Sequence, residues 1–425
     1  MIRYTLLLVI IAFGVRAENW PQWRGPQFNG STTETGLPAT FSKTENIKWT
    51  VPLSGGSAAT PIIWENSVFV CSHEDRTKEL QAVCINLKDG SIRWKKGAGT
   101  ATAKASQTGK NTFASPSPIT DGKHVWFTFG NGEIVCFDMD GKEIWTKSLT
   151  KEYGPLAYLH GYSSTPLLMD GKLYVEMLRR DHPIDAASRA DKPYDSFLLC
   201  FDAESGKELF KQVRVGVAKD GAKEAYSTPI PYLRNGKNEI LVNGADCLTA
   251  HDAGTGSELW RWTGFINPGD NRHCCSPLVA GNMICLGGSQ PSAAFGVRYG
   301  EEKPLWKYAE QPTNVGTPLY YKDMIYMVNH KKKVITCMKP ETGEIVWTGN
   351  LGVTSEFTSS ATAADGRIYV MSEAADVIVL DAGPAFKILN TVHFEDGGVS
   401  NASIAIAQKH LFIRTGQNLY CVGAK

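Results

Sequence analysis

The groups best suited to chemistry in this 425-residue chain fall in short segments that each lead into an apolar run, most of them through a Ser-Pro or Thr-Pro step. Asn111 with Phe113 and Ser115, His160 with Tyr162 and Ser163, and Tyr226 with Ser227 make up three of them. Ser57 precedes these, and Arg272 with His273, Asn314, Phe357 with Thr358, and Asn401 follow. Hydroxyl, amide and aromatic groups brought together hold a neutral polar ligand, such as a glycan or a peptide segment, without a metal. Ser and Thr before a proline also satisfy turn backbone, which accounts for the hydroxyls without any ligand. It does not account for His160, Arg272 or His273, because turns need neither imidazole nor guanidinium. The nearest acids, Glu224 and Glu356, each stand a few residues before a strand and are expected in solvent. No pair of carboxylates, Cys-x-x-Cys-His haem motif or zinc-like Cys/His spacing is present, so neither a catalytic residue nor a metal ligand is assigned.

Ten cysteines in an exported chain would suggest a disulfide framework. Cys84, Cys136, Cys200, Cys337 and Cys421, however, occupy the same place in five copies of a repeat, where equivalent positions lie too far apart to bond. They are expected to be free, buried and small. Cys274-Cys275 in HCCSP has two readings, a strained vicinal disulfide or small residues standing where neighbouring copies read GYSSTP and AYSTP.

The segments recur because the elements that carry them recur. One unit reads SPSPITDGKHVWFTFGNGEIVCFDMDGKEIW from Ser115 to Trp145: a lead-in, a short strand, a tight turn, two more strands, then Gly-x-x-x-Trp. Copies begin at Thr60, Ser163, Ser227, Ser276 and Thr317, and one near Ser359 lacks the tryptophan. Each alternates apolar and polar residues and is rich in Val, Ile, Tyr and Phe, which is strand and not helix. Trp94 and Trp145 are 51 residues apart and Trp306 and Trp347 are 41 apart, the length of a four-stranded propeller blade. Repeats also let about 400 residues share one architecture, since each blade buries surface only against its neighbours. The tryptophans are expected to pack between blades.

The two ends of the chain fix the count. Ser403 to Val422 supplies three strands, and NIKWTVPL from Asn46 to Leu53 reads as a stray Trp-bearing outer strand. Pairing them completes an eighth blade and removes an open sheet edge. The fold expected is all-β: an eight-bladed β-propeller of four-stranded antiparallel blades, closed by its N- and C-terminal strands. Loops at one end of its central channel would bring the lead-in segments together.

The repeats ending DAESGKELF, DAGTGSELW and KPETGEIVW resemble pyrroloquinoline-quinone-type propeller repeats. That superfamily includes quinoprotein alcohol dehydrogenases and the propeller subunit of the outer-membrane β-barrel assembly machinery. The opening WPQWRGPQFNG (Trp20 to Gly30), with TGLP at Thr35 to Pro38, resembles a group of secreted propellers common in planctomycete-like bacteria. The resemblance implies fold more than activity. Its dehydrogenases require a tryptophan floor, calcium held by carboxylate and amide oxygens, and an Asp base, and some carry a vicinal disulfide against the quinone. None of those ligands can be placed residue by residue here. The leading expectation is a non-catalytic binding or scaffold module with no cofactor. The alternatives are a dehydrogenase using pyrroloquinoline quinone with calcium, and an outer-membrane assembly factor.

Arg3, the apolar run from Thr5 to Val15, and Val15-Arg16-Ala17 read as a secretory signal cleaved near Ala17, too short to span a bilayer. No cysteine follows the cut at Glu18, which counts against a lipid-anchored assembly factor. Losing Arg3 and Arg16 lowers the 44 basic residues to 42 against 43 acidic ones, a formal charge of −1. So neutral a chain has no electrostatic case for nucleic acid or an anionic membrane. The organisation expected is a signal at 1–17, an arm at 18–45 and the propeller at 46–425. A periplasmic or secreted monomer is expected, with no integral membrane segment and a protein or glycan as partner.

Overall fold

The alternating runs form thirty-two strands in eight four-stranded antiparallel sheets, in a computed structural model that describes residues 18–424 apart from 75, 102–105, 107, 185–192, 266–271, 289–292 and 396. Residues 1–17, read as a signal, lie outside the described residues. Blade 2 shows the pattern: Ile119–Thr120 is innermost, followed outward by His124–Thr128, Glu133–Asp138 and Glu143–Ser148. The middle strands are buried on both faces because a neighbouring blade covers each side, while the fourth strand is half in solvent. Helix is confined, among the described residues, to Leu149–Tyr153 and a 3-10 turn at Asp220–Lys223.

The eighth blade closes as the sequence predicts. Ala405–Ala407, His410–Arg414 and Asn418–Gly423 come from the C-terminus, and Ile47–Pro52 is added outside them. Trp49 stands opposite Cys421 and Val51 opposite Leu419.

The repeat tryptophans pack between blades. The Trp94 indole N–H of blade 1 donates to the Met139 carbonyl in the last turn of blade 2 at 3.0 Å. Its ring covers Gly141, where φ is +82° and a Cβ would come within 2.8 Å of the indole, so glycine is required twice over. Trp49, Trp145, Trp306 and Trp347 each repeat the indole-to-carbonyl bond into the following blade. Between blades 4 and 5 the pattern changes: Trp260 stacks on Tyr299 at 4.6 Å, and Trp262 makes the bond to Glu302.

The five repeat cysteines have a matching explanation. Each is buried in a third strand, opposite an aromatic of the fourth strand on one side and one of the second on the other. Cys84 faces Trp94 and Phe69, Cys136 faces Trp145 and Trp126, and Cys200 faces Phe210 and Tyr174. Cys337 lies between Trp347 and Tyr326, and Cys421 between Trp49 and Phe412. A small apolar side chain is what fits a row whose flanks are both large rings.

Candidate functional site

The hydroxyls at the heads of the inner strands form a belt around the axis. The Thr60 N–H donates to Ser117 Oγ, Ser117 to Thr165, Thr165 to Thr228, and Thr228 to Ser276, over 2.7–3.1 Å. Ser276 continues to Thr317, Thr317 to Ser360 and Ser360 to Ser403, at 2.9–3.0 Å. Each hydroxyl therefore satisfies a backbone donor of the blade before it, around the axis. This is the backbone role that turn chemistry suggested, acting between blades instead of within one turn.

Residues 18–45 pack on the propeller and cross one end of its channel. Trp20 pairs with Ile63 and Pro21 accepts from Thr120, while Asn29 accepts from Tyr320 and Gly30 from Ala363. These partners stand at or just beyond the strand segments that the hydroxyl belt leads into, so the arm lies at the mouth away from the lead-in loops. Phe28 reaches the blade 3 core, and Leu37 and Phe41 are buried against blades 7 and 8. Arg24 is buried and donates to the carbonyls of Ala361 at 3.0 Å and Pro318 at 2.5 Å. Burial pulls its basicity down to about 9, which leaves it charged at neutral pH. A Cβ on Gly30, where φ is +86°, would come within 2.5 Å of that guanidinium, which explains the spacing of Arg and Gly in the WRGPQFNG segment.

Trp23 faces the channel, which becomes a cavity of about 280 Å³. Small-ligand sites run from roughly 300 Å³ upward, so it would enclose a compact group. Of the residues singled out in the sequence, Asn111, His160, Tyr226 and Asn401 line it, with Ser115, Ser163 and Thr358. Lys110, His330, Trp23 and Cys274 join them. His160 is held below the usual imidazole range by burial, then by Arg272 and Lys110, so it is neutral at pH 7. Its Nδ1 lies 2.7 Å from Thr108 Oγ1, and the backbone N–H of His160 donates to the Tyr226 hydroxyl at 3.1 Å. Burial pushes the Tyr226 phenol well up, so it is a neutral hydrogen-bonding group.

Other candidates are turned elsewhere. Phe113 packs on His73 at 6.1 Å, and Phe357 is in the core between blades 6 and 7. Tyr162 is 1 % exposed and donates to the Glu176 carbonyl at 3.2 Å. His273 is buried with Nε2 2.9 Å from Asp246. Asn314 is half-buried and not among the residues that line the cavity. Glu224, expected in solvent, is fully buried: it accepts the Leu159 N–H at 2.7 Å and pairs with Arg272 at 2.7 Å. Burial pushes its carboxyl up, against the pull of Leu159, Arg272 and Arg180. Arg272 thus serves this ion pair. Glu356 is half-exposed but pairs with His330 at 2.9 Å. Cys274 and Cys275 carry separate thiols, Cys275 donating to the Gly316 carbonyl at 3.3 Å.

The sequence matches the family described as outer membrane protein assembly factor BamB over residues 31–180, 82–349 and 301–385. No curated protein matches it. Among solved structures it is similar to a europium-containing methanol dehydrogenase (TM-score 0.68, 10% identity, 95% of this chain and 90% of that one). It is also similar to BamB from Moraxella catarrhalis (TM-score 0.61, 14% identity, 89% and 97%). Quinohemoprotein alcohol dehydrogenase from Comamonas testosteroni is a third (TM-score 0.67, 11% identity, 96% and 81%). Likeness at such identities establishes the shared propeller and nothing about chemistry.

Proposed function

The chain belongs to the family of outer membrane protein assembly factor BamB, and on that footing we propose that it is an exported, non-catalytic binding module whose axial cavity holds a neutral polar ligand, a saccharide unit fitting best. The observation that carries this is the Trp23 ring facing a cavity walled by hydroxyls and by Asn111 and Asn401. A sugar ring presents an apolar face, which an indole covers, and an edge of hydroxyls, which amides and hydroxyls pair. His160 and Tyr226 are both neutral at pH 7, so the ligand needs no charge of its own.

The quinone reading fits the cavity less well. Calcium binding needs carboxylate oxygens facing the quinone, and among the described residues lining the cavity there is none. Glu224 is spent on Arg272. No helix among the described residues is long and apolar enough to cross a membrane.

The test is titration of purified protein with neutral oligosaccharides, followed by calorimetry and tryptophan emission. One site per chain is expected, weakened at least about tenfold when Asn111 and Asn401 are both changed to Ala, the loss of two hydrogen bonds to ligand. Absence of saturable binding across the panel refutes the saccharide reading. Export is tested by N-terminal sequencing of the mature protein, which should begin at Glu18.

A further inference from the structure

We propose that His330, Glu356 and Glu373 form a binding site for a first-row divalent metal ion, zinc foremost, on the rim of the axial cavity. The three come from different turns of blades 6 and 7: His330 follows the strand Met324–Asn329, Glu356 precedes the inner strand Thr362–Ala364, and Glu373 follows Arg367–Met371. Their ligand atoms all lie within 4.8 Å of one another. Zinc at about 2.0–2.2 Å from each ligand sets donors about 3.4 Å apart, so a modest turn of the two half-exposed carboxylates closes the site.

The imidazole supplies the second observation. His330 is 7 % exposed, and its Nδ1 lies 3.1 Å from the Phe357 carbonyl, which can accept the ring proton when Nε2 binds a metal. In that tautomer Nε2 turns its lone pair toward the two carboxylates, 2.9 Å from Glu356 Oε2. An imidazole fixed through Nδ1 to a carbonyl is also how proteins aim metal-ligating histidines. The donor set, one nitrogen and two carboxylates, suits zinc; calcium takes oxygen alone. His330 also lines the axial cavity, which puts the site at its edge. The metal site stands or falls independently of the saccharide reading.

Protein freed of metal by chelator is titrated separately with zinc chloride and calcium chloride, then passed over a sizing column and its metal counted. One zinc ion per chain should be retained, with calcium far weaker. Glu356→Gln with Glu373→Gln, which keeps side-chain shape, should lower zinc affinity at least about tenfold, as should His330→Ala. In crystals of the unaltered protein soaked with zinc, an anomalous peak should appear at Nε2 of His330, independent of how any variant folds. No retained zinc, calcium bound as tightly as zinc, unchanged retention by the double Gln variant, or a peak only at cysteine sulfur overturns the assignment.

Discussion

Arg24 donates to the carbonyl oxygen of Pro318 at 2.5 Å, joining the arm to the head of an inner strand 294 residues away. With its second bond to Ala361, this buried cation fastens the arm across one end of the channel. Replacing Arg24 with Ala should lower stability by about 2–4 kcal/mol, the cost of orphaning carbonyls that bonded a charged donor. Denaturant melts measure the loss directly. A variant that melts like the parent would mean the arm is not held at the axis.

Closure of the ring gives a second prediction. Truncation through Leu53 strips Ile47–Pro52 from the edge of the last blade, together with Trp49 and its bond to Leu87 in blade 1. Insoluble protein, or a large drop in melting temperature, is expected; loss of a single packed Trp alone costs roughly 3–5 kcal/mol. A truncated chain with the full-length melting temperature would contradict the closure.

The thiols should be silent until the protein unfolds. Burial pushes Cys84 and Cys337 up to about 11 and Cys136 and Cys200 up to about 12, so the nucleophilic thiolate is scarce at neutral pH. Alkylation without reductant should modify them only in denaturant, as counted by mass spectrometry. A cross-link between any two of them would require a different blade alignment. Two alkyl groups too few at Cys274 and Cys275 would show that this pair had oxidised.

Glu176 sets a pH dependence. Its carboxyl is buried and accepts from Ser227 at 2.7 Å; burial raises it to about 8, against the pull of Ser227, Arg214 and Ser164. A folded value above the unfolded one means the native state binds the extra proton. Its stabilising contribution is thus whole below about pH 4.5 and is lost as pH rises toward 8, at no more than about 1.4 kcal/mol per pH unit. His251, lowered to about 4 by burial, slopes the other way between pH 4 and 6.5, so the comparison must be with Glu176→Gln. Relative to the parent, that variant should gain stability as pH rises from 5 to 8. Parallel curves for the two would show that Glu176 is ionised in the fold.

What was legible in the sequence is what repeats. Gly141 and Trp94 recur as a pair in blade after blade because one indole must cover one turn, so the period gave the blade as the unit. Trp49 in a stray strand gave the closure. The site was legible only in part, because a lead-in segment is irregular and nothing in it says which side chain turns inward. Asn111 and His160 face the cavity, while Phe113 and Tyr162, two residues on in each segment, enter the core. Trp23 escaped notice because its place depends on Arg24 reaching Pro318, a contact without any local periodicity. His330 escaped because it lies in a turn between the second and third strands of its blade, where no lead-in segment runs. Glu224 looked exposed because its partner Arg272 is 48 residues away.

The most direct measurement is a crystal structure of the protein with the tightest-binding oligosaccharide from the titration. One sugar unit should lie in the axial cavity with its apolar face on Trp23 and its hydroxyls within hydrogen-bond distance of Asn111 and Asn401. A sugar bound on the outer strands, or on the far side of the arm, with the cavity holding only water, would contradict the account.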